Sequence, residues 1–363
     1  MAMSVLLVEE KLLYLSCRLN PDPVALRELK SLLQGALNWD KILSLGEKQE
    51  TLPLVYYCLL NQQLQALIPS GAFGQLKDHY LANLRRNLVM EKELLKLCRR
   101  AQERGTNFLL LKGAALVQML YPDPGLRIMA DCDILIKPAD LKAIESAFIL
   151  SGYRLSPAKR DLRHMAIFSK ELLPSLFLQI EAHGALAFPR PYEIYIPELW
   201  QRAKEKIVDQ GKLLLLSPED TFLSLALHLR SHTRRLNLKF IVDIAELLNA
   251  YGNSLDWQYI LGLSRKNHIK TTLYFYIYLA NELLQAKTPP PEILLALAPD
   301  ILTRKLIRFT LNKYNFLLPK KWQGIFLRLL LFDRLRDLLL YFWRVCFLER
   351  ACRKGPARNC QTR

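Results

Sequence analysis

The chain has 363 residues, of which 51% are hydrophobic and 23% are charged, and its formal net charge is +17. This length is sufficient for two or three domains with cores of their own, and the composition excludes an intrinsically disordered chain.

The lack of a recognisable targeting segment and the pattern of cysteines both predict a cytoplasmic protein. The first residues have no basic n-region, and Glu9, Glu10 and Lys11 interrupt the first apolar run, so we expect no signal peptide. No stretch of 18 residues is both free of charge and continuously apolar, so we expect no membrane-spanning helix. The seven cysteines include no CxxC pair, which is typical of free thiols in a reducing cytoplasm.

Residues 1–104 are predicted to form an N-terminal helical region. Apolar residues recur at three- and four-residue spacing in Val24–Leu37, Leu64–Leu67 and Leu76–Arg104. A further helix is predicted to start at Asn38.

Residues 105–212 are predicted to form a small mixed sheet with helices packed against it. The order along the chain is strand, helix, strand, helix, strand, strand. The strands are predicted at Asn107–Leu111, Met129–Ile136, Ile167–Lys170 and Leu176–Ala182, and the helices at Ala115–Tyr121 and Leu141–Ser151. The predicted fold class is therefore α+β, with this mixed sheet flanked by helical regions on both sides.

Residues 213–363 are predicted to form a C-terminal helical region. Ser217 is placed to cap a helix that has Pro218 in its first position and Asp220 in its third. Helices are predicted over most of residues 218–350.

The C-terminal end of the chain is strongly basic, because residues 301–363 contain 15 Lys and Arg against three Asp and Glu. A solvated helical face with a basic tail accounts for this charge. A patch that attracts an anionic partner, either nucleic acid or a membrane surface, accounts for it as well. The stretch Phe326–Leu348 likewise fits either a helix packed on the body of the protein or an interfacial amphipathic helix.

Two aspartates share one face of the predicted strand at residues 129–136. Side chains alternate faces along a strand, so Asp131 and Asp133 point one way and Cys132 points to the core. Neighbouring carboxylates repel unless a cation neutralises them, and carboxylate oxygens suit Mg²⁺ or Mn²⁺. Two solvent-exposed aspartates on an open sheet are the alternative, although Asp is depleted in strands.

The predicted strand at residues 176–182 offers a third carboxylate. Glu181 lies on one face with Gln179 and His183. If this strand lies beside the Asp131 strand, Glu181 completes a three-carboxylate set. Such a set is able to clamp two metal ions and to receive the proton of an attacking hydroxyl. His183 is predicted either to contact substrate or to form a buried hydrogen bond.

Lys112, Gly113 and Ala114 connect the first predicted strand of this region to the helix that follows it. Small residues in such a turn let backbone N–H groups and the helix N-terminus approach phosphate. Lys112 and Arg127 add positive charge on either side of the predicted pocket. The sequence therefore predicts a nucleotide-binding corner ahead of the paired aspartates.

The run from residue 109 to residue 136, LLLKGAALVQMLYPDPGLRIMADCDILI, resembles the uncharacterised bacterial nucleotidyltransferases of the DNA polymerase β-like superfamily. Their pattern is an apolar strand, KG, a helix that ends in Tyr, a turn, and R-x-x-x-D-x-D followed by aliphatic residues. The pattern falls on Lys112, Gly113, Tyr121, Arg127, Asp131 and Asp133, and the family's acidic residue-x-His element falls on Glu181 and His183.

The resemblance implies an enzyme that transfers a nucleoside monophosphate from an NTP to an acceptor, with Mg²⁺ or Mn²⁺ as cofactor. It implies three catalytic metal ligands and a set of nucleotide-binding residues, namely Asp131, Asp133 and Glu181 for the metal and Lys112, Gly113, Ala114 and Arg127 for the nucleotide. The acceptor stays open between a small molecule, a protein and RNA.

Two departures from the wider superfamily keep other functions open. Gly113 and Ala114 stand where Gly-Ser or Gly-Gly is usual, so a hydroxyl contact to phosphate is missing. The third carboxylate is Glu181 rather than an aspartate. A catalytically silent relative that binds nucleotide or a partner protein is therefore one alternative. An RNA-binding nucleotidyltransferase that uses the basic C-terminal end is another.

Overall fold

The computed structural model describes residues 7–156, 166–174, 176–186, 196–209, 211–231, 233, 237–313 and 321–340. The α-helices within these residues are α1 Val8–Ser16, α2 Pro23–Leu33, α3 Trp39–Lys48, α4 Leu52–Asn61, α5 Ser70–Gln102, α6 Lys112–Met119, α7 Leu141–Leu150, α8 Ile196–Arg202, α9 Pro218–Ser231, α10 Leu238–Tyr251, α11 Trp257–Lys266, α12 Lys270–Leu284, α13 Pro291–Leu297, α14 Ile301–Lys313 and α15 Lys321–Leu330.

The strands form one mixed sheet in the middle of the described chain. They are β1 Leu109–Leu110, β2 Cys132–Leu135, β3 Arg154–Leu155, β4 Ala166–Leu173, β5 Leu176–His183, β6 Lys204–Val208 and β7 Gly211–Leu215. Their order across the sheet is β3-β4-β5-β2-β1-β7-β6. Strand β2 runs parallel to β5 and β1 runs parallel to β7, whereas the other neighbours are antiparallel. The predicted α+β class with a mixed sheet is confirmed.

Local signals in the sequence place several element ends correctly. The side chain of Asn38 accepts a hydrogen bond from the backbone N–H of Lys41 and caps α3. Ser217 accepts one from the backbone N–H of Asp220 and caps α9. Strands β3, β6 and β7 were not predicted. Strands β3 and β6 are the edge strands of the sheet, and β6 is largely exposed and charged, so it lacks the apolar face that marks an inner strand.

The strand that contains Asp133 is shorter than predicted, because β2 begins at Cys132 rather than Met129. The preceding carbonyl groups bond to arginine side chains instead of a neighbouring strand. Ala130 accepts a hydrogen bond from Arg86, and Ile128 accepts one from the side chain of Arg127. Asp131 therefore lies just ahead of the strand.

Helix α5 positions the segment that leads into β2. Asn83 donates its side-chain N–H to the carbonyl of Gly125 at 2.8 Å, and Asn87 donates to the carbonyl of Arg127 at 2.9 Å. Both asparagines are buried, so these bonds satisfy polar groups that water does not reach. The turn before the candidate site is thus fixed to a long helix.

The clusters of buried apolar residues include residues from both sides of the predicted domain boundaries at residues 104 and 212. The boundaries themselves stay predictions. One cluster contains residues of the N-terminal helices together with residues of α9 to α15. A second lies under the sheet and includes Met90, Leu94 and Leu97 from the C-terminal half of α5. Helix α5 therefore contributes to the core of both regions.

The basic C-terminal region is described as far as residue 340, so residues 341–348 of the predicted amphipathic stretch lie outside the described residues. In the described part of the chain, no helix combines the length and the apolar character needed to cross a membrane.

Candidate metal and nucleotide site

The site is built on two parallel neighbouring strands, β2 and β5. Their register places Asp133 opposite Glu181 and Leu135 opposite His183. Strand alternation then puts Asp133, Glu181 and His183 on the same face, with Cys132 and Ile180 buried on the other. The Glu181 strand therefore lies beside the aspartate strand, which was the condition for Glu181 to complete the carboxylate set.

Asp133 is buried and contacts two side chains that contain nitrogen, Lys112 and His183. Its Oδ1 accepts a hydrogen bond from Lys112 Nζ at 2.6 Å and lies 2.6 Å from His183 Nε2. Burial works against ionisation of this carboxyl, but the hydrogen bond with His183 and the charge of Lys112 outweigh it. Together they hold the pKa of Asp133 well below its usual range. Asp133 is therefore a fixed negative charge at the centre of the cluster.

Asp131 lies at the edge of the cluster and is half-buried. Burial raises the pKa of Asp131, and the charges of Asp133 and Glu181 raise it further, although Lys112 and Lys239 oppose this. Asp131 is not in the group of described residues whose ligand atoms lie within 4.8 Å of one another, so its predicted role as a metal ligand stays a prediction. A further positive charge in this site would favour the ionised form of all three acids.

The donor set fits a divalent cation. One ligand atom from each of Asp133, Glu181 and His183 lies within 4.8 Å of the others. Glu181 Oε2 and His183 Nε2 are 4.0 Å apart. Ligands of one octahedral ion at about 2.1 Å are separated by about 3 to 4 Å, so these groups need only small movements to share an ion. Carboxylate oxygen and imidazole nitrogen are both common metal donors.

Lys112 occupies a strained position at the start of α6. Its φ angle is +46°, in the left-handed region that residues other than glycine seldom adopt. Such strain persists only where surrounding contacts impose it, and it is common at functional sites. The salt bridge from Lys112 to Asp133 is one such contact.

Gly113 and Ala114 are buried at the beginning of α6. A Cβ atom on Gly113 would come within 2.5 Å of Arg127 Nη1, so a glycine is needed at this position for the guanidinium to pack. This packing gives Gly113 a structural role that the sequence did not indicate. The predicted contacts of Gly113 and Ala114 with phosphate stay predictions.

Arg127 joins the candidate site to the C-terminal helical region. Its Nη2 donates to Asp243 Oδ2 at 2.8 Å and its Nε to Oδ1 at 3.1 Å, while Tyr121 Oη donates to Oδ1 at 2.7 Å. Burial lowers the pKa of Arg127, but the charge of Asp243 outweighs it, and the net shift is upward. The predicted contact of Arg127 with nucleotide stays a prediction.

Helix α10 contributes residues near the site that the sequence analysis did not assign to it. The Nζ atom of Lys239 forms an ion pair with Glu50 and lies 3.4 Å from the carbonyl oxygen of Ile128. A signal was present in the sequence, because Lys239, Asp243 and Glu246 recur at four- and three-residue spacing in an otherwise apolar helix. Charged residues at that spacing share one helix face, which here is buried.

A family model described as an uncharacterised nucleotidyltransferase matches residues 35–285. The chain belongs to this family. The match confirms the predicted family at this level. A crystal structure of an antigenic nucleotidyltransferase-like protein from Paracoccidioides brasiliensis is similar, with 17% sequence identity and a TM-score of 0.36, and the similarity covers 57% of this chain and 96% of that chain. No curated protein matches this chain.

Proposed function

We propose that this protein is a metal-dependent nucleotidyltransferase of the DNA polymerase β-like superfamily, which transfers an NMP group from an NTP to an acceptor. The observation that carries the proposal is the parallel pairing of β2 and β5, with Asp133 opposite Glu181. Asp131, one residue ahead of β2, completes the three carboxylates. Membership of a nucleotidyltransferase family supports a nucleotide substrate.

The three carboxylates have related roles in this proposal. Asp131, Asp133 and Glu181 hold Mg²⁺ or Mn²⁺, and the cation supplies positive charge that neutralises the phosphate oxygens of the NTP. Glu181 also receives the proton of the acceptor hydroxyl, because it is less buried than Asp133 and carries a carboxylate on the same strand face.

The basic and small residues bind the triphosphate in this proposal. Lys112 provides a positive charge next to Asp133, and the backbone of Gly113 and Ala114 faces phosphate at the start of α6. Arg127 adds a buried positive charge that packs against Gly113.

A specific observation favours a second candidate, a nucleotide-binding regulator without catalysis. Arg127 packs directly on Gly113, and Ala114 offers no hydroxyl group to phosphate. Either feature would weaken the contacts of the protein with the leaving phosphate groups without preventing binding of the nucleotide. An RNA acceptor is a variant of the first candidate, and it predicts binding that weakens steeply as salt rises.

The test is calorimetric titration of ATP, GTP, CTP and UTP into the full-length protein with Mg²⁺ or Mn²⁺. The same titrations are made with the double variant Asp131→Asn/Asp133→Asn. Asp140→Asn is the matched control, because Asp140 follows the other end of β2 in a short 3₁₀ turn. Transfer of NMP from an α-labelled NTP is then measured over a panel of small molecules, proteins and RNA.

We expect one NTP to bind only with metal, the double variant to lose binding, and the control to match the wild type. Transfer to any acceptor that requires both aspartates supports the enzyme. Metal-dependent binding without transfer to any acceptor class supports the regulator. Equal binding or equal transfer by the double variant, with circular dichroism unchanged, refutes the proposed site.

A further inference from the structure

His183 brings an imidazole nitrogen into the site that contains the carboxylates of Asp133 and Glu181. It is the last residue of β5 and lies two residues after Glu181, so both side chains share one face of the strand. Its side chain is only 11% exposed, and Nε2 lies 2.6 Å from Asp133 Oδ1 and 4.0 Å from Glu181 Oε2. The imidazole edge is therefore turned towards both carboxylates.

His183 lies next to a carboxylate oxygen that already binds a positively charged group. The ammonium group of Lys112 and the imidazole of His183 approach the same oxygen, Asp133 Oδ1. A cation at this point would take the place of the Lys112 ammonium group beside Asp133. Its ligands would be one imidazole nitrogen and two carboxylate groups, whose ligand atoms lie within 4.8 Å of one another.

A nitrogen ligand changes which cation such a site prefers. Mg²⁺ takes oxygen ligands almost exclusively and retains several water molecules. Imidazole is a better donor to the divalent first-row transition metals, whose affinity for nitrogen sites rises from Mn²⁺ to Cu²⁺. Replacing one water by an imidazole therefore raises the affinity for a transition metal more than it raises the affinity for Mg²⁺.

We propose that His183 ligates the cation through Nε2, alongside Asp133 and Glu181, and that the site selects a first-row transition-metal dication over Mg²⁺. This inference rests on the proposed function, which assigns the two carboxylates as ligands. The competing role for His183 is to orient Asp133 by a hydrogen bond, which would leave the metal preference unchanged.

The experiment uses Mn²⁺ as the probe, with full-length protein that has been freed of metal by a chelator. Free Mn²⁺ is measured from its electron paramagnetic resonance signal, and Mg²⁺ affinity is measured by competition. Pulsed resonance then detects ¹⁴N nuclei coupled to bound Mn²⁺. His183→Gln keeps an amide N–H for Asp133 but removes the imidazole, and His79→Gln on α5 is the matched histidine control.

We expect the wild type and His79→Gln to bind Mn²⁺ at least about tenfold more tightly than Mg²⁺, with ¹⁴N coupling from imidazole. His183→Gln loses the coupling and at least about tenfold in Mn²⁺ affinity, while its Mg²⁺ affinity changes by less than about threefold.

The failures of the two proposals are distinguishable. Mn²⁺ binding that needs Asp131 and Asp133 but shows no ¹⁴N coupling, or that His183→Gln leaves unchanged, overturns the role of His183 and keeps the proposed function. Absence of binding by the wild type, or unchanged binding by Asp131→Asn/Asp133→Asn, overturns both.

Discussion

The buried ion pair between Arg127 and Asp243 links the segment before β2 to α10, and we expect Asp243→Asn to destabilise the protein strongly. Arg127 is 5% exposed and Asp243 is fully buried. The asparagine keeps the shape of the side chain, but it removes the negative charge and turns an N–H group towards either the guanidinium or Tyr121. The variant therefore leaves an uncompensated buried charge.

Breaking one side of a buried pair of this kind costs about 3–5 kcal/mol. Typical domains have a free energy of unfolding of about 5–15 kcal/mol, so the loss is a large part of the total. Removal of both charges is expected to cost much less, because the double variant Arg127→Met/Asp243→Leu leaves no unpaired charge in the interior.

Urea unfolding monitored by circular dichroism measures these differences. Asp78→Asn on the exposed face of α5 is the control, with an expected change within about 0.5 kcal/mol. A loss below about 1 kcal/mol for Asp243→Asn would refute the reasoning. So would a double variant less stable than Asp243→Asn.

Two further predictions concern a buried acid and a packed glycine. Burial raises the pKa of Glu246 from 4.5 to about 7, so its contribution to stability is greatest below pH 4.5 and is lost as pH rises through 7. The difference between these two pKa values corresponds to about 3 kcal/mol. In urea unfolding, the free energy of unfolding of Glu246→Gln relative to that of the wild type should therefore be higher at pH 8 than at pH 4.5 by this amount. An equal difference between the two proteins at both pH values would contradict the prediction. Gly113→Ala places its Cβ within 2.5 Å of Arg127 Nη1 and should cost about 1–3 kcal/mol in the same assay. Gly74→Ala, where a Cβ meets no atom within 4 Å, should instead gain up to about 1 kcal/mol, and similar effects at the two glycines would argue against the packing role.

The sequence by itself determined the features that depend on neighbouring residues. Alternation along a strand assigned Asp133 to the face opposite Cys132, Glu181 to the same face as His183, and Cys132 to the core, and the burial of Cys132 agrees with this. The caps at Asn38 and Ser217 were readable because capping needs only a polar side chain and the next three backbone N–H groups. Such signals act over a few residues, so the surrounding fold seldom changes them.

Only the tertiary structure decided which of these features meet. Asp133 and His183 are 50 residues apart in sequence, and their contact depends on β5 pairing in parallel with β2. The start of β2 was decided by hydrogen bonds from the side chains of Arg86 and Arg127, which no strand pattern encodes. The need for glycine at residue 113 likewise follows from the packing of Arg127 against it. Pairing and packing between distant residues depend on the whole arrangement of helices and strands, whereas alternation and capping are properties of a single short segment.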